Sequence, residues 1–266
     1  MIFDFRQKTN QAKRFVAIYG ENGSGKSNFV RSVELLFRSL ISFDKASATV
    51  DLQSLLKNSA ETASIEIFNK LIDDGDVLKY IASCRMIDCD EPTEVEYGFL
   101  LNGREGYYKL VFSGEFTDEV LYHIAGKQRG ILFRISSGEM DGGIEPQFWS
   151  GLFQSERARE DTVEELHKYW GKHTFLGLMV HQMRTRNTKY VQENFSQSLL
   201  AVIDLLSNTT VMSKRSNRHN TSIISRQPRN VLDNLRSGKI SKAQLPQLES
   251  SERILQAFFT QVYADI

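Results

Sequence analysis

Cysteine is scarce in this chain, with two in 266 residues, Cys84 and Cys89. Two thiols form no disulfide framework, and a reducing compartment is the simplest inference. Cys84-x4-Cys89 has no second Cys or His pair at zinc spacing nearby, so both read as plain thiols. Net charge is missing too, because 33 basic and 33 acidic residues cancel. That balance argues against a highly basic nucleic-acid protein and against an acidic tail, and leaves only local patches open. No run approaches the roughly 20 apolar residues of a membrane-crossing helix. The opening MIFDFRQKTN lacks the apolar centre of a signal peptide. The expectation is a soluble, cytoplasmic protein with no membrane partner. At 41% hydrophobic and 25% charged, the composition is ordinary for a globular chain of one large or two small domains.

What is present begins at residue 14. Arg14 to Tyr19 is a short apolar run suited to a buried strand. Gly20-Glu21-Asn22-Gly23-Ser24-Gly25-Lys26-Ser27 follows and matches G-x-x-x-x-G-K-[ST]. Asn28 to Ile41 then carries Phe29, Val33, Leu36, Phe37 and Leu40 at helical spacing. Each residue type has a task. The glycines permit positive φ and let backbone wrap a phosphate. Loop amides and the helix N-terminus offer donors and partial positive charge to an anion. Lys26 reaches the β- and γ-phosphates, and the Ser27 hydroxyl ligates Mg²⁺. The four fixed positions coincide by chance in roughly 1% of chains this long. A nucleoside triphosphate site is therefore expected. ATP is favoured over GTP, because no Asn-Lys-x-Asp guanine-reading motif occurs.

Beyond the loop, Thr49 to Ile72 reads as helices, and Val77 to Met86 as a strand. Pro92 to Ile135 reads as a β-meander of Glu94–Leu101, Tyr107–Phe112, Glu119–Ile124 and Ile131–Ile135, with a turn at Asn102-Gly103. Gly138–Gly143 with Pro146 forms a break, giving a nucleotide-binding lobe over 1–136 and a mainly helical region over 137–266. Tyr19, Phe43, Trp149, Phe153, Leu166 and Trp170 read as packing residues. His167, His173 and His181 do not share the i, i+4 spacing of a metal-binding helix.

The run Glu21-Asn22-Gly23-Ser24-Gly25-Lys26-Ser27-Asn28 resembles the Walker A loops of ABC-type ATPases grouped with SMC, RecF and OLD (overcoming lysogenisation defect) proteins. Within the meander, Tyr97-Gly98-Phe99, Val120-Leu121-Tyr122 and Leu132-Phe133-Arg134 are similar to the insert of prokaryotic AAA-family, ABC-like ATPases of the abortive-infection type. The resemblance covers about residues 1–205. It implies an α/β P-loop NTPase of ABC/SMC-like head type with an antiparallel meander and a helical second part. It implies ATP and Mg²⁺ as cofactors, Lys26 and Ser27 as their ligands, and Asn22 as a loop-shaping residue. Gln182 falls where such proteins place a Q-loop glutamine near Mg²⁺ and the attacking water; the alternative is a polar residue ending an apolar helix. A homodimer or larger oligomer closing around ATP, and a nuclease or toxin effector in phage defence, are also implied.

An ABC-like ATPase also needs a signature motif, a Walker B strand ending in Asp-Glu and a switch His. The Walker B pair holds Mg²⁺ and polarises water. No four apolar residues precede Asp-Glu here. Ala201-Val202-Ile203-Asp204-Leu205 lies in the helical run Gln192–Ser207, and Ile87-Asp88-Cys89-Asp90-Glu91 reads as a turn before Pro92. The catalytic half is incomplete, so the chain reads as an N-terminal fragment or one piece of a split ATPase. Asn208 to Arg229 holds Lys214, Arg215, Arg218, His219, Arg226 and Arg229 with no acidic residue. It reads either as a polar linker or loop, or as a phosphate-contacting segment for DNA or RNA. Glu252 to Ile266 reads as an amphipathic helix able to dock a partner. Two further readings stand beside the defence ATPase: a RecF- or SMC-like DNA-maintenance ATPase, and a non-hydrolysing nucleotide-dependent scaffold.

Overall fold

The glycine loop at 20–25 runs directly into α1 (Lys26–Leu56), a helix of 31 residues. The computed structural model describes residues 2, 4–5, 11, 13, 16–21, 23–56, 76–85, 89–125, 128–138, 143–186, 188–207, 211–214 and 221–224. From Glu34 to Ser42 every residue of α1 is buried, so the helix is central and not merely amphipathic. Its buried polar groups are satisfied within the helix. Arg38 Nε and Nη2 donate to Glu34 Oε1 at 2.9 and 2.7 Å. Ser39 and Ser42 hydroxyls donate to the carbonyls of Leu36 and Ser39. The helix continues through the start of the expected 49–72 helical stretch, whose remainder lies outside the described residues.

Val77 to Met86, expected as a strand, contains α2 (Val77–Cys84). Asp76 decides the outcome, because its carboxylate accepts from Leu78 N and Lys79 N as an N-cap. Val77 and Ile81 then fall on one buried face. Tyr80 lies under the Arg38 guanidinium, 4.6 Å from ring centroid to Cζ, and its hydroxyl donates to Arg31 O at 3.0 Å.

The meander forms with longer strands than expected: β1 (Thr93–Leu101), β2 (Arg104–Phe112), β3 (Phe116–Ala125) and β4 (Gln128–Ser137), all antiparallel in sequence order. Asn102 and Gly103 both have positive φ, 52° and 73°, as a two-residue hairpin turn requires. A fifth strand, β5 (Ile144–Phe148), falls in the region read as helical. Ile144, Pro146 and Phe148 alternate correctly, yet Pro146 hides the strand signal. Proline is tolerated because β5 is an edge. Gly138 N donates to Gly143 O and Trp149 N to Leu132 O, so the Pro146 nitrogen faces away from β4. The glycine break lies between these two strands.

Four helices follow: α3 (Glu156–Tyr169), α4 (Phe175–Thr185), α5 (Thr188–Asn194) and α6 (Gln197–Ser207). The expected continuous run Gln192–Ser207 is interrupted, because Phe195 bridges to Phe153 and Ser196 Oγ accepts from Leu199 N to start α6. The Asp204 stretch is helical and not a strand. Leu166 and Trp170 are core residues, with Trp149, Phe153 and Phe43 packed against them. Tyr19, expected in the core, is 90% exposed.

One carboxylate joins the layers. Glu119, on the inner face of β3, is fully buried and accepts four hydrogen bonds. Tyr108 Oη and Leu176 N donate to Oε1, while Trp170 Nε1 and Phe175 N donate to Oε2, at 2.6–3.1 Å. It caps α4 from within the sheet. Burial pushes its pKa up against the pull of these donors. α4 in turn lies against α1. A Cβ on Gly177 would stand 2.6 Å from Ser39 O, and Thr174 Oγ1 donates to that same carbonyl.

The chain divides into two compact units, Met1–Ser207 and Asn208–Ile266. The second contains an antiparallel pair, β6 (Val211–Lys214) and β7 (Thr221–Ile224). The basic stretch at 208–229, read as a loop or linker, is thus partly a hairpin, built where Val211, Met212, Ile223 and Ile224 supply apolar β-formers. Arg215, Arg218, Arg226, Arg229 and the Glu252–Ile266 segment lie outside the described residues. Among the described residues no helix is long and apolar enough to cross a membrane.

Glu119→Ala removes the acceptor for four buried donors. We expect a loss of about 4 kcal/mol in urea unfolding, with Glu119→Gln losing roughly half, since one oxygen acceptor remains. His173 Nδ1 lies 3.0 Å from Ser42 Oγ, and burial first, then Lys172, lowers its pKa to about 4. The unfolded chain therefore binds the extra proton below the ordinary value of 6.5. This contribution is whole above pH 6.5 and is lost as pH falls toward 4, by roughly 2–3 kcal/mol. His173→Gln should flatten the pH dependence of the urea midpoint in that window.

Candidate nucleotide site

The site is built at the N-terminus of α1. Gly23 and Gly25 adopt φ of 87° and 88°, conformations that side-chain-bearing residues rarely take. Ser24 N donates to Glu21 O at 3.2 Å, tightening the loop, while Asn28 N and Phe29 N share Gly25 O as the first acceptor of the helix. The Lys26 ammonium folds back over the loop. It donates to Gly20 O and Glu21 O, both at 2.6 Å, and to Ser24 Oγ at 3.1 Å. Gly20 permits this closure, since a Cβ there would stand 2.7 Å from Ser24 Oγ.

The residues fit a polyphosphate. The amides of Gly23, Gly25, Lys26 and Ser27 have no acceptor among the described residues and sit at the positive end of a long helix. Ser27 and Asn28 are exposed on its first turn, as is Glu21 in the loop. Asn22 lies outside the described residues. Those amides and Lys26 would hold phosphate oxygens, and the Ser27 hydroxyl would hold Mg²⁺.

The apolar run before the loop departs from expectation. Residues 16–20 are not in a strand, and Val16 and Tyr19 are 40% and 90% exposed. A strand exists only through neighbours, and the five-stranded sheet takes its members from 93–148 in unbroken order. Among the described residues nothing pairs with 16–20.

Gln182 is not brought to the loop. It sits on α4, 4% exposed, with Nε2 donating to Glu165 Oε2 at 2.5 Å and Oε1 buried without a partner among the described residues. Its neighbour His181 packs on Phe43 at 4.7 Å between ring centroids. Phe43 lies 17 positions after Lys26 in α1 (43 − 26), or about 25 Å along the helix at 1.5 Å per residue. Gln182 here ties α4 to α3 together with Arg186, whose Nη2 donates to Glu165 Oε1.

The structure adds residues that no motif marks. Tyr80 and Tyr97 donate their hydroxyls to Arg31 O and Ser32 O, bracing α1 one turn past the loop. Phe5 packs edge-on against Phe29 at 5.5 Å. These partners lie 49, 65 and 24 positions (29 − 5) from α1 in sequence, so local pattern carries no sign of them. A separate cleft of about 450 Å³, lined by Phe148, Trp149, Phe153 and Arg159 among others, includes no loop residue. Among the described residues no cluster of three His, Cys, Asp or Glu side chains gathers to hold a metal.

Gly20→Ala should weaken MgATP binding by at least about tenfold in calorimetric titration, because the new methyl displaces the Ser24 hydroxyl. Adding Ser24→Ala should restore part of the loss, whereas Gly23→Ala, whose Cβ meets nothing, costs only its backbone strain of about 1–2 kcal/mol. Comparison with protein-family models, curated proteins and solved structures finds no match to this chain.

Proposed function

We propose that this chain is the ATP-binding lobe of an ABC-like P-loop ATPase. The observation that carries the reading is the loop at the head of α1, with two positive-φ glycines, amides with no acceptor among the described residues, and an ammonium folded back onto the carbonyls of Gly20 and Glu21. The antiparallel sheet packed on α1 and the helices of 156–207 support an ABC/SMC-like head. The exposed apolar run Val16–Tyr19 supports a lobe whose remaining strands are supplied from elsewhere. No Asp-Glu pair follows an apolar strand in the sequence. The chain alone therefore binds ATP and Mg²⁺ and turns it over slowly if at all. By analogy with the abortive-infection ATPases it resembles, its task is to control a nuclease or toxin effector in antiphage defence.

A DNA-maintenance role of RecF or SMC type is the second reading. The β6–β7 hairpin favours it, because that ribbon is embedded in an acid-free stretch containing Lys214, Arg215, Arg218, Arg226 and Arg229. A nucleotide-dependent scaffold that never hydrolyses is the third, favoured because no four apolar residues precede either Asp-Glu pair.

The deciding experiment titrates MgATP into the chain and into Lys26→Ala, with steady-state hydrolysis measured in parallel. We expect binding that weakens at least about tenfold in Lys26→Ala, with negligible turnover by the parent. Absence of ATP binding, or binding indifferent to Lys26, would remove the proposal. Robust turnover would sink the incomplete-site reading.

A further inference from the structure

The two edges of the five-stranded sheet are not alike. β5 is five residues long and carries Pro146 with its nitrogen turned outward, which blunts that edge. β1 is nine residues long, with neither proline nor lysine and no register shift against β2. Leu101 and Arg104 close the two-residue turn and so form a hydrogen-bonded pair. By alternation, residues 93, 95, 97, 99 and 101 bond to β2. Glu94, Glu96, Gly98 and Leu100 turn their N–H and C=O groups outward, where nothing among the described residues pairs with them.

We propose that β1 pairs antiparallel with β1 of a second copy of this chain, about a two-fold axis at Tyr97, to make one continuous ten-stranded sheet. The residue pattern fits that register. Thr93 meets Leu101, Glu94 meets Leu100, Val95 meets Phe99 and Glu96 meets Gly98. No acid opposes an acid, since Glu94 and Glu96 each face an uncharged residue across the axis. The parity also fits. Glu94, Glu96, Gly98 and Leu100 form the hydrogen-bonded pairs, and Tyr97 meets its own copy at a non-hydrogen-bonded position. Space above Gly98 is open, with nothing within 4 Å of a Cβ built there, so the Glu96 side chain of the second copy has room. Because the opposite edge is blunted, pairing stops at two copies. This dimer needs no nucleotide and does not rest on the ATP reading.

The test is sedimentation equilibrium of the full chain without nucleotide, across micromolar concentrations, with far-UV circular dichroism to verify folding. Gly98→Glu places an acid opposite Glu96 of the second copy and should raise the dimer dissociation constant at least tenfold. Gly98→Lys, of similar bulk, should leave it unchanged or lower it. Gly98→Pro removes an outward N–H but no β1–β2 bond and should give a folded monomer. A parent that is monomeric throughout would overturn the proposal. So would a dimer that responds alike to both charges, or one indifferent to all three changes.

Discussion

The Glu119 carboxylate is the constraint on which the layered arrangement depends. A charge at the centre of a sheet is costly unless its lone pairs are filled, and here four donors from three different parts of the chain fill them. Tyr108 comes from the neighbouring strand, Trp170 from the end of α3, and two amides from the start of α4. Those amides are orphans of any helix N-terminus, and a carboxylate there satisfies hydrogen bonds and dipole together. The position of α4 against the sheet is thereby set to within hydrogen-bond tolerance.

That constraint propagates to the candidate site. α4 meets α1 where Gly177 allows contact with Ser39 O, and α1 carries the glycine loop of the candidate site at its head. Tyr80 and Tyr97 hold α1 nearer that end, through the carbonyls of Arg31 and Ser32. A helix gripped along its buried middle and braced near its start presents its first-turn amides in a defined direction. Lys26 closes the loop by donating to the carbonyls of Gly20 and Glu21, so a nucleotide would replace existing hydrogen bonds of the ammonium and not merely add to them.

The same packing separates Gln182 from the loop. Sequence position placed it where a catalytic glutamine is expected from the family resemblance, but the part-buried hydrogen bond to Glu165 anchors it between α3 and α4. The unpaired run Val16–Tyr19 and the open edge of β1 are the counterpart of a well-filled interior. Among the described residues, neither place has a strand partner.

Local chemistry by itself determined the glycine turn at 23–25, the helix behind it and four of the five sheet strands, because each rests on short-range rules. A glycine at positive φ, an Asn-Gly turn and a period-two apolar pattern act over a few residues and are legible without a partner. Only the tertiary structure decided what depends on distant neighbours. Val77–Cys84 became a helix once Asp76 capped it and α1 covered Val77 and Ile81. Pro146 entered a strand because that strand ended a sheet. The run before the loop is not a strand, and among the described residues no neighbour bonds it. Glu119 shows the limit most clearly. In the sequence it is one acid among 33, and its role exists only where residues 108, 170, 175 and 176 converge, since burial and donor geometry are properties of the assembled layers.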